Sequence, residues 1–258
     1  MRFKLTISYD GTIYCGWQVQ ANGTSIQTLV QKAIETILRH PIFLTGAGRT
    51  DAGVHALGQT AHFDTSVSID PHLLRYSANA LLPPDIRIVQ IERVPDDFHA
   101  RYWAAGKIYH YHLQIGAITD PTTRLYRVPV FGKIDRAAME QAAKQLIGTH
   151  DFIAFANDPS RGTAARDSIR TLKRLDIIEQ PGGLRLEFEG DGFLYKMVRN
   201  ITGTLLDVAA HRRSNDVASL LQQKNRKLAG PTAPPQGLFL IKVLYHLKSS
   251  GMAANDSK

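Results

Sequence analysis

One stretch of this chain concentrates groups able to do chemistry. Gly46-Ala47-Gly48-Arg49-Thr50-Asp51-Ala52-Gly53-Val54-His55 sets a carboxylate two residues from a guanidinium among three glycines. Glycines let a backbone approach a ligand closely, and loops of this kind often carry function. A carboxylate so placed can act as a nucleophile. The commoner use of Asp-x-Gly is a tight turn in which the carboxylate accepts from local amides, and on spacing alone that use is favoured. The stretch lacks the Gly-Lys-Ser/Thr ending of a phosphate loop and does not open a helix as dinucleotide-binding loops do, so nucleotide triphosphate chemistry is unsupported. His110 and His112 have the spacing of a metal pair, but no third ligand lies near them, and they read better as surface or partner-facing groups. A single cysteine, Cys15, rules out an internal disulfide and the paired-cysteine zinc pattern. No Gly-x-Ser-x-Gly is present for a serine hydrolase.

The elements around the loop follow from periodicity. Phe3, Leu5, Ile7 and Tyr9 alternate with Lys4, Thr6 and Ser8, which predicts an opening strand with one buried face. Ile26 to Leu38 shows a helical apolar stripe, with Thr24 and Gln27 at capping-box spacing. Asp70-Pro71 starts a second helix through Leu81. In the second half KIYHYHLQI alternates with Tyr109 and Tyr111 on one face, and Asp135 caps a further helix. Strands are expected near 169–178 and 184–188, then a long helix from Gly192 to about His211. A shorter helix near 216–228 and a last strand in GLFLIKVLYHL complete the pattern. The long helix carries an apolar stripe of Leu194, Val198, Ile201, Leu205 and Val208, with Arg199 on a second face. Both halves therefore read as α+β with antiparallel sheet. The division is placed near 103–106, giving halves 1–104 and 105–247, whether by a linker or within a continuous sheet. A frayed tail is expected over 248–258.

Composition sets the partner class. Hydrophobic residues are 43% and charged residues 21% of 258, the balance of a globular protein with a sizeable core. Lys and Arg number 31 against 23 acids, a net charge of +8 that draws polyanions and makes nucleic acid a candidate. The basic side chains Arg75, Arg101, Lys107, Arg124, Arg127, Arg161, Arg166, Arg170, Lys196, Arg212 and Arg213 are spread along the chain, as a folded basic surface requires. No apolar run reaches the length of a membrane span, and the opening reads as a strand rather than a leader, so the expected location is cytoplasmic.

GAGRTDAGVHALGQ resembles the signature of the tRNA pseudouridine synthase family that modifies the anticodon arm. The likeness continues through YDGTIYCGWQVQ, NALLPPDI, FHARYWAAGKIYHYHL, GTHDFIAF, GDGFLYKMVRNITG and APPQGLFL, covering roughly residues 1 to 246. It implies two duplicated ferredoxin-like (RRM-like) α+β halves flanking a basic central cleft, a homodimer, and no metal or organic cofactor. The implied reaction isomerises uridine to pseudouridine at positions 38, 39 and 40 of tRNA after the base is flipped out. By the same resemblance Asp51 is the catalytic carboxylate and Arg199 its partner. Arg49 assists extrusion, Tyr109 stacks on the target uracil and Leu238 lines the pocket. VAAHRR and WAAGKIY depart from the family's commoner wording, which touches local packing rather than the loop. Two other classes stay open at this point: a non-catalytic RNA-binding protein, against which the missing RNP1 motif counts, and a base-excising glycosylase.

Overall fold

The computed structural model describes residues 1–21, 23–158 and 167–246; Arg161, Arg166 and the proposed tail 248–258 lie outside the described residues. The chain folds as α+β around a large, mostly antiparallel sheet. Its strands are β1 (Arg2–Tyr9), β2 (Thr45–Gly46), β3 (His55–Asp64), β4 (Ile86–Val94), β5 (Ala104–Ile115), β6 (Val128–Val130), β7 (Gly148–Asp151), β8 (Ile169–Gln180), β9 (Gly183–Gly190) and β10 (Leu238–Tyr245). The main order is β4-β1-β3-β10-β5-β9-β8-β7. The division at 104/105 falls in the first residues of β5, inside one continuous sheet, next to a register shift of the β10–β5 ladder between Gly106 and Ala104.

The last strand decides the layout. β10 lies between β3 and β5, parallel to the first with Phe239 beside His55, and antiparallel to the second with Leu238 beside Tyr111. Strands that run parallel from aligned starts bring together the loops that precede them. The residues before β3 are the glycine-rich loop, and those before β10 are Ala233 to Gly237, so segments almost two hundred positions apart become neighbours.

The helices are α1 (Ile26–Leu38), α2 (Pro71–Leu81), α3 (Arg136–Lys144), α4 (Met197–Ala209) and α5 (Ala218–Gln223). α1 packs against α2, and α3 against α4. The capping box expected at Thr24 and Gln27 is shifted by one residue. Ser25 is the N-cap, accepting from Thr28 N at 3.2 Å. Gln27 instead donates from Nε2 to Leu44 O at 2.7 Å, tying the helix to the chain ahead of β2. Asp70 and Asp135 cap α2 and α3 as their sequences predict.

The long helix begins five residues later than Gly192, because Lys196 takes a left-handed φ of 60° that no α-helix continues through. The expected helix over 216–228 is broken for the same reason at Lys224, φ 51°, leaving α5 and a separate 3-10 turn at Arg226–Leu228. α4 is buried on nearly every side: Leu205 and Ile201 share the interior with Arg199, Asn200, Thr202 and Thr204. A helix with buried polar side chains must pair each of them inside the fold.

Candidate active site

Asp51 closes a turn, as Asp-x-Gly sequences do, but with its main chain: its carbonyl accepts from Val54 N at 3.2 Å. The side chain is thereby released from turn duty. Its carboxylate takes a 2.6 Å bond from Arg199 Nη1, across 148 positions of sequence. Charge-assisted bonds at this distance are among the stronger ones in proteins and orient both partners. The Arg199 side chain is only 10% exposed and that of Asp51 21%, so the carboxylate sits at the floor of an opening with its partner sealed behind it.

The loop owes its position to the segment 9–17. Tyr9 Oη and Thr50 Oγ1 lie 2.8 Å apart, Trp17 N donates to Thr50 O at 3.2 Å, and Gly53 N donates to Tyr14 O at 3.4 Å. Gly16, at φ 89°, lies so near that a Cβ there would come within 2.4 Å of Thr50 O. Only glycine combines that backbone angle with that approach.

Arg199 is locked in turn by the segment before β10. Its Nε donates to Ala233 O at 2.7 Å, while its own main-chain carbonyl accepts from Ala233 N at 3.1 Å. The approach that permits this requires Gly203, one helical turn on, where a Cβ would stand 1.8 Å from Pro231 O. Further support comes from Arg226, which donates to Asn200 Oδ1 at 2.8 Å, Gly230 O at 2.9 Å and Asn157 Oδ1 at 3.1 Å. Tyr111, fully buried, donates its hydroxyl to Pro234 O at 2.7 Å and so holds the lead-in to Leu238.

A cleft of about 1900 Å³ opens over this pair. Tyr109, Leu238 and Arg49 all line it together with Asp51 and Arg199, so the five residues singled out in the sequence converge. Tyr109 is buried, its ring edge-on to Phe193 at 5.1 Å, and burial pushes its phenol pKa well up. Among the described residues its hydroxyl forms no hydrogen bond. Leu238 is buried at the start of β10. Arg49 is exposed and held by one bond, Nε to Gln18 Oε1 at 3.1 Å, so it is free to swing to a ligand.

The wall carries six cations, Arg49, Arg101, Lys107, Arg170, Lys196 and Arg199, against Asp51, Asp158, Asp167 and Asp191. Arg75, Arg124, Arg127, Arg212 and Arg213 do not line it, so the dispersed basic set divides between cleft and remaining surface. His110 and His112 also stand away from the cleft. His110 Nε2 is 3.5 Å from Glu187, and His112 bonds Gln180 Oε1 at 3.2 Å and packs edge-on to Phe239. Both make contacts within the fold and lie outside the cleft. Among the described residues no three His, Cys, Asp or Glu side chains converge to hold a metal ion.

Sequence reasoning missed the buttress: Gly16, Thr50, Ala233, Gly203 and Arg226. The only available signal was the run of polar residues inside α4, Arg199-Asn200 and Thr202 to Thr204, too polar for a helix packed on all sides unless another segment satisfies it.

An oriented carboxylate, with a buried arginine behind it and an aromatic ring and a leucine beside it, lies in a cleft whose wall carries more cations than acids. A family model described as tRNA pseudouridine synthase matches residues 5–103 and 142–246. The chain therefore belongs to the tRNA pseudouridine synthase family. It is 54% identical over 245 residues to tRNA pseudouridine synthase A 1 of Protochlamydia amoebophila (strain UWE25), covering 94% of this chain and 96% of that protein. It is 42% identical over 248 residues to tRNA pseudouridine synthase A of Bacillus licheniformis, covering 95% and 99% respectively. A solved Cbf5-Nop10-Gar1 complex matches 79% of this chain and 54% of its own at 12% identity and a TM-score of 0.34, too distant to bear on the site. No helix among the described residues is long and apolar enough to cross a membrane.

Proposed function

We propose that this enzyme isomerises uridine to pseudouridine in tRNA, at positions 38, 39 and 40 of the anticodon arm, with Asp51 as its catalytic carboxylate. The observation that carries the reading is the 2.6 Å pair of Arg199 and Asp51 at the floor of a basic cleft. The reaction breaks the bond from ribose to N1 and remakes it to C5, so it needs a nucleophile held in one place. Asp51 meets that need, adding either to C6 of the ring or to the sugar carbon. Arg199 aims the carboxylate without touching the RNA backbone.

The target must leave its stack before it can reach Asp51, and extrusion costs unstacking energy. Tyr109 offsets part of that by stacking on the uracil, Leu238 closes the pocket wall, and the exposed Arg49 fills the gap or holds a phosphate. The cleft lies between the two α+β halves, which we read as duplicated modules. A homodimer in the cytoplasm is the working form of the enzyme, and tRNA is its partner.

Incubation with unmodified tRNA, followed by mapping of carbodiimide-dependent reverse-transcription stops, tests this. Wild type yields stops at the anticodon arm, and Asp51→Asn yields none while retaining fold and tRNA binding. Release of free uracil would make the protein a glycosylase, and unchanged nucleosides with intact binding would make it a binding protein.

A further inference from the structure

Lys107 is a cation that the catalytic geometry described so far does not use. It precedes Tyr109 by two residues on β5, so both project from the same face about 7 Å apart along the strand. It lines the cleft, with Nζ tucked against the catalytic loop: a Cβ at Gly48 would come within 2.6 Å of it. Among the described residues it forms no hydrogen bond and no ion pair. The charges acting on it are Arg101 and Arg170, both positive, and burial together with these two lowers its pKa to about 8. A lysine withdrawn from water is ordinarily paired with an acid. Here Arg101 and Arg170 stand near the ammonium, which has no carboxylate of its own among the described residues, while Arg170 is itself paired with Asp167 at 3.3 Å.

We propose that Lys107, flanked by Arg101 and Arg170, is the seat for a backbone phosphate of the RNA next to the extruded uridine. The inference rests on the reading of the cleft as a tRNA site and assigns it a residue that reading leaves idle. The separation from Tyr109 suits it: a base stacked on that ring has its own nucleotide's phosphates within comparable reach. A phosphodiester supplies the missing negative charge, and Lys binds it as a point charge rather than through a planar fork. The absence of a side chain at Gly48 leaves the ammonium room beneath the loop. Phosphate held there would fix the ribose relative to Asp51, which makes Lys107 a positioning residue.

The test uses the full-length protein and anticodon-arm RNAs carrying one methylphosphonate at each backbone position near the target uridine. Lys107→Met should raise the Kd of unmodified RNA about tenfold and reduce the slope of log K against log salt by about one. One methylphosphonate should weaken wild type and have no further effect on Lys107→Met. Lys107→Arg should restore the salt slope. Melting curves accompany each protein, and Lys107→Gln repeats the series should the Met variant melt early. Unchanged Kd and slope in a folded variant would overturn the proposal, as would full additivity at every phosphate. A saturated single-turnover rate that drops a hundredfold with Kd unchanged would also overturn it, by placing Lys107 at the reacting base. If wild type binds the RNA but forms no pseudouridine, the functional reading fails while these binding results still decide the role of Lys107.

Discussion

Replacing Arg199 with Met separates orientation of the carboxylate from RNA binding. Two bonds vanish, one to Asp51 Oδ2 at 2.6 Å and one to Ala233 O at 2.7 Å. Their costs differ because their surroundings differ. Asp51 faces the cleft, so water replaces the guanidinium and the charge left behind costs under about 1 kcal/mol, as for an exposed pair. Ala233 is 3% exposed, and its orphaned carbonyl costs about 1–3 kcal/mol. Together these give a destabilisation of roughly 1–4 kcal/mol, or about 2–16 °C in melting temperature for a chain of this size. The enzyme therefore stays folded, and the assay is meaningful. Once untethered, Asp51 samples several rotamers, and loss of near-attack geometry on the order of 1 Å lowers rate about a hundredfold. Single-turnover pseudouridine formation, with enzyme in excess, should fall by at least that factor, while the Kd for tRNA changes less than about threefold. A variant that binds weakly yet turns over normally when saturated would refute the reasoning and place Arg199 among the RNA contacts.

Tyr109→Phe should retain most activity and Tyr109→Leu should lose the equivalent of about 1–3 kcal/mol in kcat/KM, because the role proposed for this residue is stacking of its ring; equal damage by both would show that the hydroxyl is essential. Gly203→Ala should destabilise by about 1–3 kcal/mol and lower turnover as well, since the new Cβ displaces the segment that holds Arg199; thermal melting and single-turnover rates check both. His62 is buried and accepts from Ala100 N at 3.2 Å, and burial, with Arg2 and His99 nearby, lowers its pKa from 6.5 to about 4. The neutral ring is the folded form, so its contribution is complete above pH 6.5 and is lost as pH falls toward about 4, on the order of 3 kcal/mol in all. His62→Asn, which keeps an acceptor but does not titrate, should flatten that acid limb in denaturant melts; an unchanged limb would assign it elsewhere.

Local order was legible in the residues themselves. The alternation of Phe3 to Tyr9, the stripe of Ile26 to Leu38 and the caps at Asp70 and Asp135 depend on neighbours within a few positions, and the elements form where those patterns lie. The cap of α1 and the start of α4 moved because Ser25 against Thr24, and a left-handed Lys196, turn on backbone angles that periodicity does not encode. Motif likeness marked the five site residues, but spacing alone favoured a turn role for Asp51 and gave Arg199 only a place on a second face of its helix. The tertiary structure decided otherwise for one physical reason. β10 pairs with both β3 and β5, which carries Ala233 and Leu238 to the glycine-rich loop and obliges the buried Arg199 to satisfy its charge there. An unpaired guanidinium in that interior would be too costly to keep, so strand order, which no local pattern reveals, determines what Asp51 touches.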